Sequence, residues 1–305
     1  MLISVATFVL GLGVVLFARW GPDWPAQEYR AGLAIHSGLL AWTDQWYAGQ
    51  ALPGYSVLYP LVAAGLGAAG TGLLAVTVAA WAAGRLMPRT GRAAHRRYSV
   101  AAAVMLVGNL VIGQVPFLLG TAFALVALLS LTRRNTACTM LLAAASSLSS
   151  PLAGAFVLMI IPPLATRFGW RRAALLSPAA VGLAVAALVG GAGGPFPCPW
   201  PSLAGVLAFS AITYLATSRA DLLLRRFAWL YAVAGVLCFV VPNPVGGNIT
   251  RLGKLIALPL ACYLISAEPR RRLIAFATAV IAALMWPLVP LSTAIAHGAG
   301  DPSRH

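Results

Sequence analysis

The fold is decided by residues 99–132, which read SVAAAVMLVGNLVIGQVPFLLGTAFALVALLSLT and carry no charged side chain. Arginine pairs bound this stretch at 96–97 and 133–134, and a Gly-Gln-Val-Pro turn at 113–116 divides it into two apolar runs. Each run is continuous rather than alternating, which favours a helix over a strand. The stretch therefore predicts two membrane-spanning helices that leave the arginine side and return to it.

The composition extends this pattern to the whole chain. Of its 305 residues, 60% are hydrophobic and 9% are charged, and the mean hydropathy is +0.87. Backbone in lipid must satisfy its own hydrogen bonds, which favours helices here and excludes a soluble enzyme. The net charge of +15 comes in short arginine clusters between apolar runs, as in cytoplasmic membrane loops rather than a nucleic-acid interface. The four cysteines are far apart, so no disulfide or zinc site is predicted.

The arginine clusters predict the topology. With every cluster on the cytoplasmic side, we expect an all-α polytopic protein of the inner (plasma) membrane with about eleven crossings and interfacial helices in the first outer loop. Residues 1–295 form one transmembrane domain that begins with an uncleaved signal-anchor helix and a cytoplasmic N-terminus, and 296–305 form an extracytoplasmic tail. After the first helix, the predicted spans are 71–87, 99–114, 116–132, 137–149, 151–166, 173–190, 203–217, 227–241, 252–267 and 273–295.

Residues 55–69 are interpreted differently from the other apolar runs. They contain Pro60, and at about 1.5 Å per residue they reach only about 22 Å, less than the roughly 30 Å of a bilayer core. We therefore predict an interfacial or re-entrant helix here. This interpretation places the loop of residues 20–54 on the extracytoplasmic side.

That loop concentrates the negative charge of the chain. It holds Asp23, Glu28 and Asp44, which are half of the six acidic residues. Pro25 suits the first turn of an amphipathic interfacial helix, in which Glu28 would also lie in the first turn. Asp23 would precede the helix, either as an N-cap or as a carboxylate facing the outer vestibule, and the sequence gives the two alternatives equal weight.

Aromatic residues follow this helix. Trp42, Trp46 and Tyr47 are spaced as an aromatic belt at the headgroup level. His36 fits an interfacial residue better than a ligand or a base.

A second constellation occupies residues 243–254, which read NPVGGNITRLGK. Arg251 and Lys254 lie on the predicted outer side and share one helix face at a spacing of three. A helix N-terminus with free amides near Gly246, Gly247 and Asn248, together with two cations, would suit a phosphate group. The alternative is a simple turn with cations that snorkel to the lipid headgroups. The phosphate interpretation is favoured because Arg19 and Arg30, the other outward basic residues, flank the acidic loop.

These segments together resemble the polytopic glycosyltransferases of the GT-C fold, and more narrowly GT-C-like membrane proteins of actinobacteria. The resemblance implies a polyprenyl-phosphate sugar as donor, Asp23 as a base or metal-linked acid, and Arg251 as a contact to the donor phosphate. Many members carry a paired acidic motif, whereas Asp23 and Glu28 are five residues apart. Such proteins also usually continue beyond 305 residues, so a short or truncated member is expected. The matching motifs are W-x3-W-Y-x-G at 42–49, GYSVLYP at 54–60 and NPVGGNITRLG at 243–253.

The predicted function is transfer of a sugar from a polyprenyl-phosphate donor to an extracytoplasmic acceptor. Asp23 is the candidate base and Glu28 its assistant. The other candidate residues bind substrate: Arg30, Asn248, Arg251 and Lys254 on the donor side, and Trp46 and Tyr47 stacking on sugar or lipid. Membrane lipid is an expected partner and nucleic acid is not, while protein partners are unknown. No cofactor is required by the sequence, which leaves a divalent metal open.

Two alternatives remain at the level of sequence. A lipid or solute transporter or flippase could use the same phosphate site, although the helix interiors hold almost no ionisable residues. A non-catalytic GT-C-like membrane protein could keep the fold alone.

Overall fold

The computed structural model describes residues 2–18, 21–38, 42–43, 50–51, 55–86, 92–189 and 195–267. Within these ranges the chain is helical apart from one pair of two-residue strands, which confirms the all-helical prediction in its main point. Strands β1 (Trp42–Thr43) and β2 (Gln50–Ala51) pair antiparallel in the first loop.

The helix bounds follow the chain in order. The first seven helices are α1 (Leu2–Phe17), α2 (Trp24–Ser37), α3 (Leu58–Leu86), α4 (Arg92–Ile112), α5 (Val115–Thr132), α6 (Thr136–Ser149) and α7 (Pro151–Met159). The next six are α8 (Ile161–Phe168), α9 (Trp170–Ala173), α10 (Ala180–Val189), α11 (Trp200–Ala216), α12 (Leu222–Val240) and α13 (Thr250–Ala267). Short 3₁₀ helices cover Ala174–Ala179 and Gly246–Ile249.

The described helices are compatible with a multi-pass membrane protein. Five helical segments are long and apolar enough to cross a membrane, and six if the α7–α8 pair, bent by 43°, counts as one span. Helices α1, α6 and α11 are apolar but shorter. The number of about eleven crossings therefore stays a prediction, and the predicted helix at 273–295 lies outside the described residues.

The segment predicted as a separate interfacial helix is continuous with the span that follows it. Helix α3 runs over Leu58–Leu86, but Gly67 inside it has φ 70° and ψ 166°. The predicted boundary near residue 70 is thus replaced by a kink at Gly67, because glycine adopts a positive φ without steric penalty. Whether residues 55–69 lie in an interface stays a prediction.

Local sequence explains where the central helices begin. Pro116 occupies the first turn of α5, where a missing N–H is tolerated. The side chain of Asn135 accepts a hydrogen bond from the amide of Cys138 and so caps α6. Ser150 caps α7 in the same way, with Pro151 at its first position. The starts of α5, α6 and α7 therefore each have an identifiable local cause.

Small residues let the central helices pack closely. A Cβ added at Gly154 of α7 would lie 2.3 Å from Ser147 Cβ, and one added at Gly182 of α10 would lie 2.3 Å from the Ser147 backbone. Ser147 Oγ also accepts a hydrogen bond of 3.0 Å from the Gly182 amide. Close approach through glycine and serine is how helices associate in lipid, where no hydrophobic force drives them together.

Replacing Gly154 by Ala is expected to lower the free energy of unfolding by about 1–3 kcal/mol, because the new methyl group overlaps Ser147. Gly205→Ala is the matched control, since a Cβ at that helical position meets nothing within 4 Å. The control should be neutral or stabilising by about 0.5–1 kcal/mol. Thermal unfolding of both proteins in one detergent measures the difference, and equal Tm values would contradict the packing described above.

Candidate functional site

The start of α2 is attached to the turn between α4 and α5. The Asp23 amide donates to the Ile112 carbonyl oxygen at 3.2 Å, and Trp24 Nε1 donates to the Val111 carbonyl oxygen at 3.2 Å. Gly113 has φ 88°, and a Cβ there would lie 2.6 Å from Trp24 N. Only glycine fits this turn, so the position of Asp23 is fixed by the α4–α5 connection.

Asp23 occupies the N-cap position of α2 without capping it. Its side chain makes no cap hydrogen bond, although its backbone oxygen accepts from the Gln27 amide at 3.2 Å. Burial raises the pKa of the Asp23 carboxyl above its ordinary value, and the nearby cation of Arg251 partly offsets that rise. The missing cap hydrogen bond argues against the N-cap interpretation, while exposure of this carboxylate to an outer vestibule stays a prediction. A desolvated carboxylate with a raised pKa suits general base chemistry.

Glu28 lies apart from the buried face of α2. That helix begins at Trp24, so Glu28 is its fifth residue, and the prediction that Glu28 lies in the first turn is wrong. The buried side of α2 is formed by Trp24, Gln27, Arg30 and Ala31, whereas Glu28 is exposed. Among the described residues, no group of three or more His, Cys, Asp or Glu side chains comes together. The divalent metal that the sequence leaves open is therefore not assigned to any described residues.

Arg30 is buried against the start of α3. It is 8% exposed, its Nη2 donates to the Ser56 carbonyl oxygen at 3.4 Å, and its guanidinium lies 4.5 Å from the Tyr55 ring centroid. Burial lowers the pKa of Arg30, and the two tyrosines Tyr55 and Tyr59 act in the opposite direction. Tyr59 also donates to the Gln27 carbonyl oxygen at 2.9 Å. These contacts favour a role in holding α2 against α3 over the predicted contact with substrate.

Arg251 lies over the start of α5. Its guanidinium is 5.8 Å from the ring centroid of Phe117, which is 3% exposed and packs edge-on against Phe156 at 6.1 Å. Because the α4–α5 turn precedes Phe117 and holds Asp23, the carboxylate and the cation lie near the first turn of α5 and interact electrostatically. Lys254 follows Arg251 by three residues in α13 and is half-buried. The two predicted constellations therefore lie at the same end of the helices, and the side of the membrane that this end faces stays a prediction.

The backbone amides predicted to bind phosphate are already used. They donate within the protein: Gly246 to Asn243 Oδ1 at 2.8 Å, Gly247 to the Pro197 oxygen at 3.1 Å, and Asn248 to the Val245 oxygen at 3.0 Å. The prediction of free amides at this turn is therefore wrong, because a tertiary contact and an asparagine side chain satisfy them. Asn248 itself is half-buried in the 3₁₀ helix that precedes α13. A phosphate here would depend on the two cations.

Tyr231 of α12 is a component of the site that the sequence did not indicate. Its hydroxyl donates to the Ile249 carbonyl oxygen at 2.8 Å and accepts from the Gly253 amide at 3.0 Å. In a regular helix these two backbone groups would bond to each other, so the hydroxyl is inserted into the first turn of α13. Arg251 lies between Ile249 and Gly253, so its backbone is positioned by Tyr231.

Replacing Tyr231 by Phe is expected to lower the free energy of unfolding by about 1–3 kcal/mol, because two buried backbone groups lose their shared partner. Tyr214→Phe is the matched control, since Tyr214 is 40% exposed on α11. Chemical denaturation in detergent measures both proteins. Equal stability of the two variants would mean that the first turn of α13 closes without the hydroxyl.

Buried amide side chains surround the same end of the bundle. Gln27 Oε1, Asn109 Oδ1 and Gln114 Oε1 are buried acceptors that have no hydrogen-bond donor within the described part of the chain. The backbone links them to the site, since the Gln114 amide donates to the Asn109 carbonyl oxygen at 3.1 Å and the Gln27 amide donates to that of Asp23. Buried acceptors require a donor, which a hydroxyl-bearing ligand or an ordered water supplies.

The aromatic candidates cannot be placed. Trp46 and Tyr47, like Asp44 and Arg19, lie outside the described residues. The pairing of Trp42 with Ala51 and of Thr43 with Gln50 places the two ends of this loop side by side. Stacking of Trp46 and Tyr47 on sugar or lipid stays a prediction.

Comparisons of the chain with protein-family models, with curated proteins and with solved structures find no match. The function is therefore argued from the geometry of the site.

Proposed function

We propose that this chain is a membrane glycosyltransferase that moves a sugar from a polyprenyl-phosphate donor to a hydroxyl-bearing acceptor at the extracytoplasmic face. The observation that carries the proposal is that a desolvated carboxylate, Asp23, lies within electrostatic reach of the cation of Arg251, although the sequence separates the two by more than 200 residues. A base and a phosphate-binding cation at one end of a membrane bundle are the groups that this transfer needs.

Each candidate residue has a separate role in the proposed reaction. The acceptor hydroxyl oxygen forms a bond to the anomeric carbon of the sugar, and its proton passes to the Asp23 carboxylate. The bond between the anomeric carbon and the phosphate oxygen breaks, and the electron pair leaves with the polyprenyl phosphate. Arg251 and Lys254 stabilise the charge on that leaving group. The buried acceptors Asn109 and Gln114 are suited to sugar hydroxyls.

The direct test is turnover by the purified chain in liposomes that contain a polyprenyl-phosphate sugar and a soluble acceptor glycan. Release of polyprenyl phosphate together with a lengthened acceptor would support the proposal. Transfer of the intact lipid-linked sugar across the bilayer, with no cleavage, would instead support the flippase alternative. A protein that retains polyprenyl phosphate in native mass spectrometry but never cleaves the donor would be a non-catalytic binder, and the proposal would be wrong.

Cell envelopes give an independent test of the same function. Deleting the gene should raise the level of one polyprenyl-phosphate sugar and remove that sugar from envelope glycans. The wild-type gene should restore both, whereas the gene carrying Asp23→Asn should restore neither. Restoration by Asp23→Asn would exclude Asp23 as the base.

A further inference from the structure

A cavity lies beside α13 from Leu255 to Leu264. Its volume is about 970 Å³, close to the upper range of ligand pockets at roughly 1,000 Å³. Its near end at Leu255 directly follows Lys254, whereas Leu264 follows Arg251 by 13 residues, which corresponds to about 20 Å along a helix. The cavity therefore begins beside the candidate site and extends away from it along α13.

The cavity is amphipathic. Its walls are mainly apolar side chains, among them Leu106 of α4, Leu125 of α5, Phe227 of α12 and Leu260 of α13. Polar side chains enter the lining where α8 ends and where α11 turns into α12, at Arg167 and Asp221. Both of these charged groups interact electrostatically with Tyr263, so they lie around one region of the cavity. This arrangement suits a molecule with a long apolar part and a charged head.

The charge around the polar part of the cavity favours a ligand with an anionic headgroup. Helix α8 packs on α12, which brings together two arginine clusters, at 167–172 and 219–226. The acidic group there is Asp221, and one of its oxygens already accepts the Leu224 amide at 3.2 Å as the cap of α12. Of these arginines only Arg167 lines the cavity, and the others add positive potential around it, which favours a phosphate headgroup at Arg167. These clusters also belong to the predicted cytoplasmic side, where anionic lipids and arginine attract one another.

We propose that this cavity binds one acyl chain of an anionic phospholipid from the predicted cytoplasmic leaflet, with the lipid phosphate at Arg167. The acyl chain would fill the apolar space that the described parts of α4, α5, α12 and α13 enclose. The proposal does not depend on sugar transfer, since none of the lining residues belongs to the site around Asp23.

Native mass spectrometry of the full chain in detergent with added phosphatidylglycerol, phosphatidylcholine or polyprenyl phosphate tests the proposal. The wild-type protein should retain one phosphatidylglycerol in preference to phosphatidylcholine. Arg167→Gln should weaken retention about tenfold, which corresponds to about 1.4 kcal/mol, because a charge-assisted contact is lost. Leu260→Trp should abolish retention by filling the cavity. Arg167 is exposed, so its variant should fold even if Leu260→Trp does not.

Two matched control variants distinguish lipid binding in the cavity from nonspecific lipid binding to the protein surface. Arg133→Gln removes an exposed arginine outside the lining, and Leu215→Trp adds bulk at a position that is 66% exposed. Both should retain phosphatidylglycerol as the wild type does. Three results would overturn the proposal: equal retention by Arg167→Gln and Arg133→Gln, no selectivity for the anionic phospholipid, or displacement of the bound phosphatidylglycerol by polyprenyl phosphate.

Discussion

Sugar transfer by the Asp23→Asn protein is expected to fall by about 10²–10⁴-fold, which is the usual contribution of a positioned general base. Asparagine keeps the size of the side chain and removes its ability to take a proton. The backbone contacts that fix residue 23, from its amide to Ile112 and from Gln27 to its oxygen, do not involve the side chain and should persist. The fall should therefore appear in kcat, with membrane insertion unchanged and with thermal stability equal to or above that of the wild type, because a partly buried charge is removed. Initial rates of polyprenyl-phosphate release in liposomes measure it.

Two carboxylate variants serve as comparisons. Glu268→Gln removes a charge in the predicted basic loop before the last helix, and its rate should equal that of the wild type. Glu28→Gln separates the two acidic candidates, because Glu28 is exposed and Asp23 is half-buried. A loss in Glu28→Gln as large as that in Asp23→Asn would assign the base to Glu28 and contradict the role given to Asp23.

The helices themselves were predictable because their boundaries are encoded locally. The predicted span at 116–132 and helix α5, Val115–Thr132, differ by one residue, since Pro116 and the arginines after Thr132 mark both ends. The predicted span at 151–166 is bent between α7 and α8. Pro162 and Pro163 supply the cause, because proline removes amide donors from the helix. Both prolines are visible in the sequence, but an apolar run that contains them is still long enough to predict a single straight span.

The site was only partly predictable because its contacts are tertiary. A raised pKa for Asp23 requires burial by α4 and α5, which no local pattern reports. The amides of the turn at 246–248 looked available in the sequence, but Asn243 and Pro197 occupy two of them. Pro197 lies about 50 residues away in the chain. The sequence predicted that Arg30 is an exposed cation on the outer side of the membrane. It is buried instead, because the face of α2 that carries Arg30 packs against Tyr55 and Tyr59.

Arg251→Gln is expected to move the acid limb of the pH–rate profile to higher pH. Burial raises the pKa of Asp23 and the Arg251 cation lowers it, so removal of the cation leaves the burial effect unopposed and raises this pKa further. The base must be ionised to accept a proton, so activity is lost at a higher pH in the variant than in the wild type. Loss of a charged contact to the donor phosphate should also lower kcat/KM by about 10–100-fold.

The pH profile distinguishes this role from a structural one. If Arg251 served only to pack on Phe117, its replacement would lower activity by the same factor at every pH, and the acid limb would not move. Arg133→Gln removes an exposed arginine at the α5–α6 turn. This variant should leave unchanged both the pH of the acid limb and the rate of sugar transfer. The pH dependence of stability should run opposite to that of activity: a raised pKa favours the protonated carboxyl, so the contribution of residue 23 to the stability of the Arg251→Gln protein is fully present below the ordinary pKa of aspartate. Its stability should then decline relative to the wild type as the pH rises through the pKa of Asp23 and the unpaired carboxylate ionises.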